Sequence, residues 1–284
     1  MKKIFPVLFS ILLLVPAFFS TGCYVESEPY LGAVGIGVSD IDLSADFYTR
    51  VAGMKVKQRI KLCNKVEVVL EFTGSKGSDV ILMNYTDGSA PNYKNNPVKL
   101  VFYVPDAAAF ALAIKQEGLT IVSWPAPLPQ FGGVTVGFAK DPDGYLIEIV
   151  EDTTATVPYL GAAGIGVSDL ASATDFYCRV IGLNVKYSLS LGYMNEVILE
   201  FEPVKGSATV VMHYVAPKNY KDLPVKLVYY VTDPHETVKA IRAEGLEVIK
   251  EPGKKFNPLN IGLAKDADGY LLEILQSVEQ VEKK

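Results

Sequence analysis

Histidine is nearly missing from this chain: His213 and His235 are the only two in 284 residues. That scarcity caps the supply of nitrogen donors for a metal, which needs several O, N or S groups converging on one point. Cysteine is scarce too, with three residues, Cys23, Cys63 and Cys178. They make no disulfide framework, and Cys63 and Cys178 read as unpaired, mostly buried thiols. Runs of lysine and arginine are absent, and the net charge is -5. Such a chain has no footprint for a polyanion, so nucleic acid is excluded as a partner. Apolar residues are not scarce: at 49% of the chain, with abundant Tyr and Phe, they exclude a disordered polymer and support a sizeable core.

The long apolar run lies at the start, MKKIFPVLFSILLLVPAFFSTGC. A basic pair, an apolar stretch and small residues before Cys23 form a signal peptide over residues 1–23, to be set apart from the fold. The Ser-Thr-Gly-Cys ending resembles the lipobox of bacterial lipoproteins, although Ser20 stands where an aliphatic residue is usual. The resemblance implies lipidation at Cys23 and a membrane anchor. Tyr24 after the cysteine points to an exported protein of the cell envelope, lipid-anchored at the periplasmic side of the outer membrane.

The rest is one pattern written twice. YLGAVGIGVSD at 30–40 returns as YLGAAGIGVSD at 159–169, EVVLEF at 67–72 as EVILEF at 196–201, and PVKLVFYV at 97–104 as PVKLVYYV at 224–231. AKDPDGYLIEI at 139–149 returns as AKDADGYLLEI at 264–274. This divides the chain into a first domain over 30–151, a linker over 152–158, a second domain over 159–276 and a polar tail over 277–284. In the first repeat, alternation predicts a strand over 31–38 and strands over 55–61, 66–72 and 79–85. Ser39 or Asp40 punctuates after the first strand, and a helix is expected over 44–51, ended near Gly53. A second cycle follows, with a strand over 98–104, a helix over 107–117 and a last strand over 145–150. The chain thus holds four βαβββ units.

Four such units, with Phe-Tyr late in the first helix and D-(P/A)-D-G-Y-L-(I/L)-E-I at the close, resemble the vicinal oxygen chelate superfamily. That superfamily includes glyoxalases, bleomycin-resistance proteins and extradiol dioxygenases. The resemblance implies an α+β fold: a tandem repeat of two domains, each built from two βαβββ units forming an incomplete barrel. It also implies a divalent metal in the cup, on four ligand positions. Three of these are occupied by residues unable to serve: Ala33, Leu82 and Lys99 in the first repeat, and Ala162, Val211 and Lys226 in the second. Only Glu148 and Glu273 remain, so the expectation is no metal and no cofactor.

A carboxylate in the middle of an apolar strand is costly unless paired. In the family fold the strands of Lys99 and Glu148 are neighbours, as are those of Lys226 and Glu273, so each lysine is expected to pair with its glutamate. Glu67 and Glu71, with their counterparts Glu196 and Glu200, alternate with apolar residues and are expected toward the cup. So are Tyr103 and Tyr229, and, on one reading, Asn84 and His213; on another His213 faces solvent or a neighbour. The first strand contributes only small residues there, which leave room for a ligand or a backbone.

An acidic, aromatic-edged cup suits a small cationic or amphipathic molecule. The leading reading is an exported, metal-free small-molecule-binding protein of the glyoxalase/bleomycin-resistance type. The alternatives are a glyoxalase-like lyase or isomerase, or a dioxygenase-related enzyme, and a non-catalytic envelope scaffold. Two assemblies remain open: a monomer that is its own pseudo-dimer, or a homodimer. Whether the cups form within or between repeats is equally open.

Overall fold

A computed structural model describes residues 23–74, 77–89, 91–129, 132–204, 206–254 and 260–281. The signal peptide expected over residues 1–23 falls, but for Cys23, outside the described residues. Strand β1 (Cys23–Glu26) opens the described chain. The first unit is β2 (Tyr30–Gly37), α1 (Ile41–Arg50), β3 (Lys55–Lys61), β4 (Lys65–Glu71) and β5 (Asp79–Tyr85). The second is β6 (Val98–Val104), α2 (Ala107–Gln116), β7 (Ile121–Leu128), β8 (Val134–Lys140) and β9 (Leu146–Glu151). The third is β10 (Tyr159–Gly166), α3 (Leu170–Phe176), which runs on as a π-turn over Tyr177–Ile181, β11 (Asn184–Ser190), β12 (Met194–Glu200) and β13 (Ala208–Tyr214). The fourth is β14 (Val225–Val231), α4 (Pro234–Ala243), β15 (Val248–Lys250), β16 (Ile261–Lys265) and β17 (Leu271–Gln276). Strand β18 (Val278–Val281) pairs antiparallel with β1. Each α-helix starts on an aspartate, Asp40, Asp106, Asp169 or Asp233, whose carboxylate accepts from the first free backbone N–H groups.

The strands assemble into two eight-stranded sheets, and each sheet takes one unit from each repeat. One runs β15-β16-β17-β14-β2-β5-β4-β3, joining the fourth unit to the first; the other runs β11-β12-β13-β10-β6-β9-β8-β7, joining the third to the second. The joints are the antiparallel pairs β14–β2 and β10–β6. The cups therefore form between repeats. One large apolar core, including Val34, Phe102, Leu160 and Tyr229, joins the helix-facing sides of both sheets. Two smaller clusters line the concave sides, one per sheet.

The motifs that revealed the repeat form a clasp between the two units of one repeat. Asp141 accepts from the Tyr48 hydroxyl at 2.8 Å and from the backbone N–H groups of Asp143 and Tyr145. The Tyr145 hydroxyl donates to the carbonyl of Gly37, and Asp143 accepts from Ser39. Gly144 has φ +83°, and a Cβ there would run into Asn95, so the turn needs glycine. Asp266, Tyr177, Tyr270, Asp268 and Ser168 repeat the arrangement. Burial pushes the carboxyls of Asp141 and Asp266 up to about 6 against these donors.

Cys63 and Cys178 are both free thiols, as expected, but neither is buried: Cys63 is exposed and Cys178 half-buried. Cys63 lies in the turn between β3 and β4, where no packed face needs it.

Candidate functional site

Two cups carry the candidate residues. In one, Lys226 on β14 reaches Glu273 on β17 at 3.1 Å and Glu67 on β4 at 3.2 Å. Lys65 closes on Glu67 at 2.7 Å. In the other, Lys99 on β6 sits 2.8 Å from both Glu148 on β9 and Glu196 on β12. Each lysine thus meets the expected glutamate and a second one from the other repeat. Sequence reasoning placed Glu67 and Glu196 on the cup face without assigning them to the lysines. Their partners depend on which units share a sheet, and no local pattern states that.

The small residues of the first strand have a physical role in this pairing. Gly35 lies opposite Lys226 and Gly164 opposite Lys99 in the ladder. A Cβ on Gly35 would meet the Lys226 Cβ at 3.0 Å, and one on Gly164 the Lys99 Cβ at 3.1 Å. The room expected for a ligand or a backbone at these positions is taken by the lysine stems.

Electrostatics holds the lysines charged. Burial alone would lower Lys99, but Glu148 and Glu196 outweigh it and keep the ammonium well above lysine's ordinary range. Lys226 is raised in the same way by Glu273 and Glu67. Burial opposes ionisation of Glu67, yet Lys226 and Lys65 hold it below the usual carboxylate range. For Glu273 burial wins and the carboxyl is pushed up. Among the described residues its Oε1 has no hydrogen-bond partner.

Several expected positions are corrected. Leu82 and Val211 belong to the helix-facing core; the cup-facing residues of β5 and β13 are Ile81 and Met83, and Val210 and Met212. Tyr229 is also helix-facing, fully buried, and shares a hydrogen bond with Thr209 at 2.8 Å. The residue that repeats Tyr103 is Tyr230: Tyr103 stacks on Tyr159 and Tyr230 on Tyr30. Along a strand a slip of one residue exchanges the two faces. Asn84 and His213 follow Leu82 and Val211 away from the cup. Asn84 donates to the carbonyls of Val38 and Ser39, and His213 Nδ1 bonds the carbonyl of Val167 at 2.8 Å. Both tie down the end of a first strand. Glu71 lines a polar pocket of about 340 Å³ with Tyr30, Asp79 and Tyr230, where Lys57 neutralises it at 3.1 Å. Glu200 lines the Lys99 cup and pairs with Lys186 at 3.4 Å.

The cups differ in openness. Around Lys226 the side chains of the lysine, Glu67 and Glu273 are 2%, 1% and 3% exposed. Around Lys99, Glu148 reaches 18%. A cavity of about 590 Å³ lies over Lys99, walled by Tyr103, Phe138, Leu189, Tyr193 and Val210. That is a volume suited to a small organic molecule.

A family-type metal does not fit these residues. Ala33 and Ala162 carry no donor, Met83 and Met212 supply at most a weak thioether, and a protonated lysine stands at the third position in each cup. An ammonium repels a divalent cation and already occupies the remaining glutamate. Among the described residues no group of three or more His, Cys, Asp or Glu could hold a metal ion.

Comparison with known proteins agrees with this architecture. The family model for the Glyoxalase/Bleomycin resistance protein/Dioxygenase superfamily matches residues 30–149 and again 159–274. The chain belongs to that superfamily, as a tandem of two of its domains. A probable lactoylglutathione lyase of Vibrio cholerae is 35% identical over 124 residues, 42% of this chain and 87% of that protein. A lactoylglutathione lyase of Arabidopsis thaliana is 26% identical over 179 residues, covering 57% of this chain and 62% of its own length, somewhat under two thirds. Among solved structures, a glyoxalase I mutant from Zea mays superposes with a TM-score of 0.71 at 19% identity, covering 88% of this chain and 94% of that one. A putative dioxygenase from Bacillus subtilis does so with 0.62 at 14% identity, covering 89% and 86%. At these identities the structures speak for the fold alone.

Proposed function

We propose that this chain is an exported small-molecule-binding protein of the glyoxalase/bleomycin-resistance type that works without a metal. The observation that carries the reading is Lys99. Its ammonium, fixed between Glu148 and Glu196, forms the floor of a 590 Å³ cavity at a position where the family resemblance implies a metal ligand. The cavity offers apolar walls and a few convergent polar groups, the usual make-up of a ligand site. Export rests on the leader and on Cys23, whose lipidation would place both cups outside the cytoplasm.

The names of the relatives favour a second reading, a glyoxalase-like lyase. Proton abstraction is the step such chemistry needs, and Lys99 is unsuited to it because its carboxylate neighbours keep it protonated. Glu148 is the one carboxylate of the pairs that meets the cavity with appreciable exposure, so it would have to act as the base.

One experiment separates the readings. The mature protein is dialysed against Zn, Ni, Mn and Fe without chelator, assayed for metal and for lactoylglutathione lyase turnover, then screened for thermal stabilisation by small molecules. Substoichiometric metal, no turnover and stabilisation by some ligands are expected. Near-equimolar metal together with turnover would replace the binding reading by the enzymatic one. Stabilisation by nothing, in an inactive protein, would leave the scaffold.

A further inference from the structure

The two cups occupy equivalent places in two copies of one pattern, so their differences are informative. In the Lys226 cup the fixed charges balance, with Lys65 and Lys226 against Glu67 and Glu273. In the Lys99 cup the residue equivalent to Lys65 is Met194, which starts β12 as Lys65 starts β4 and pairs with Tyr214 as Lys65 pairs with Tyr85. One lysine therefore faces two carboxylates, Glu148 and Glu196. Among the described residues no second lysine or arginine comes within ion-pair distance of Glu148 or Glu196: Lys186 is engaged with Glu200, and Lys218 lies over the ring of Tyr214.

Two further exchanges go with the missing charge. Gln58 and Asn64, beside the Lys226 cup, correspond to Tyr187 and Tyr193 beside the Lys99 cup. These tyrosines line the cavity yet stand 59% and 58% exposed. Large exposed rings at the mouth of an apolar pocket mark a surface awaiting a partner. With Tyr103 and Phe138 they make aromatic walls over a floor short of one positive charge. A desolvated cation is attracted both by ring faces and by an uncompensated carboxylate.

From this asymmetry we infer that the Lys99 cup alone is the binding site, and that it selects a ligand carrying one positive charge on an aromatic or aliphatic body. The cation completes the charge balance that Lys65 completes in the other cup, and Met194 is the specificity-determining residue. The Lys226 cup, balanced and buried, is a structural element. This inference rests on the proposed binding function and names the ligand class of that same cavity.

The test uses three probes of one shape: benzyltrimethylammonium, its uncharged carbon isostere neopentylbenzene, and the anion benzylsulfonate. Binding to the mature protein is read by calorimetry and by ligand-observed NMR. The cation is expected to bind about tenfold more tightly than the neutral isostere, and the anion not at all. Met194→Lys, which copies the other cup, should weaken the cation about tenfold or more and spare the neutral probe. Tyr193→Asn, an exposed exchange that leaves the core untouched, should weaken the cation several-fold and keeps the test open if Met194→Lys does not fold. Equal binding of cation and neutral isostere, or a cation affinity indifferent to both substitutions, overturns the charge selection while leaving a binding cup. Binding of none of the three, in a protein that no small molecule stabilises either, removes the cup's binding function and with it this inference.

Discussion

Lys226→Met is expected to lower stability by about 3–5 kcal/mol, the usual cost of leaving a buried charge without its partner. Glu273 would be the stranded group, because Lys65 remains with Glu67 at 2.7 Å. Lys226→Met combined with Glu273→Leu should therefore recover most of the loss. The Lys99 cup should answer differently. There Lys99 serves two carboxylates, with Met194 where Lys65 would stand. Lys99→Met with Glu148→Leu still leaves Glu196 without a cation, and only the triple variant that adds Glu196→Leu should approach the wild type. Denaturant midpoints of these four variants and of Lys99→Met decide the matter. Equal recovery in the two double variants would sink the assignment of Lys65 as the group that makes the difference.

Asp141→Ala is expected to cost about 3 kcal/mol or more, since it leaves three buried donors without an acceptor. These are the Tyr48 hydroxyl and the backbone N–H groups of Asp143 and Tyr145. Asp141→Asn keeps an acceptor and sheds the charge, so at pH 7 it should lie within about 1 kcal/mol of the wild type. The pH dependence follows from the same site. Folding raises this carboxyl and that of Asp266 from 3.8 to about 6. The folded chain thus binds protons more tightly than the unfolded one over that interval. Their contribution to stability is most favourable below 3.8, declines as pH rises through the interval, and is flat above about 6. Each aspartate accounts for about 2–3 kcal/mol of that decline. Urea titrations between pH 4 and 7 should show a shallower decline in Asp141→Asn than in the wild type. An unchanged slope would show that the Asp141 carboxyl is not raised, and an Asn variant as damaged as the Ala variant would show that a neutral acceptor does not serve the three donors.

Much of the fold was legible because alternation and turn residues act over short stretches. The strand expected over 98–104 is β6 to the residue, and that over 55–61 is β3. The helix expected over 44–51 starts three residues earlier, at Ile41, because Asp40 supplies the cap. The Lys99–Glu148 and Lys226–Glu273 contacts followed from neighbouring strands of one unit. What stayed hidden depends on assembly. Glu196 meets Lys99 only because the third unit joins the second in one sheet. Met194 gains meaning only beside Lys65. Leu82, Val211 and Tyr229 lie on the face opposite to the expected one, since a register with period two leaves no intermediate position, and of the two readings of His213 the one that turns it to a neighbour holds. Asn84 and His213 carry polar atoms toward backbone carbonyls at a strand end, an environment that residue type alone does not distinguish from a cup.

The joining of each sheet from halves of both repeats bears on how the chain could diverge. Two identical chains arranged this way would carry two identical cups, and any substitution at the place of Lys65 would strike both at once. One cup would be unable to change without the other. In the fused chain that bond of symmetry is broken: position 65 and position 194 are separate codons. One cup can then keep the balanced charges that hold the structure, while its twin carries Met194 in place of the lysine and two tyrosines at a more open mouth. Two copies within a single chain thus let one cup change while the other holds the fold, in two places that share one core.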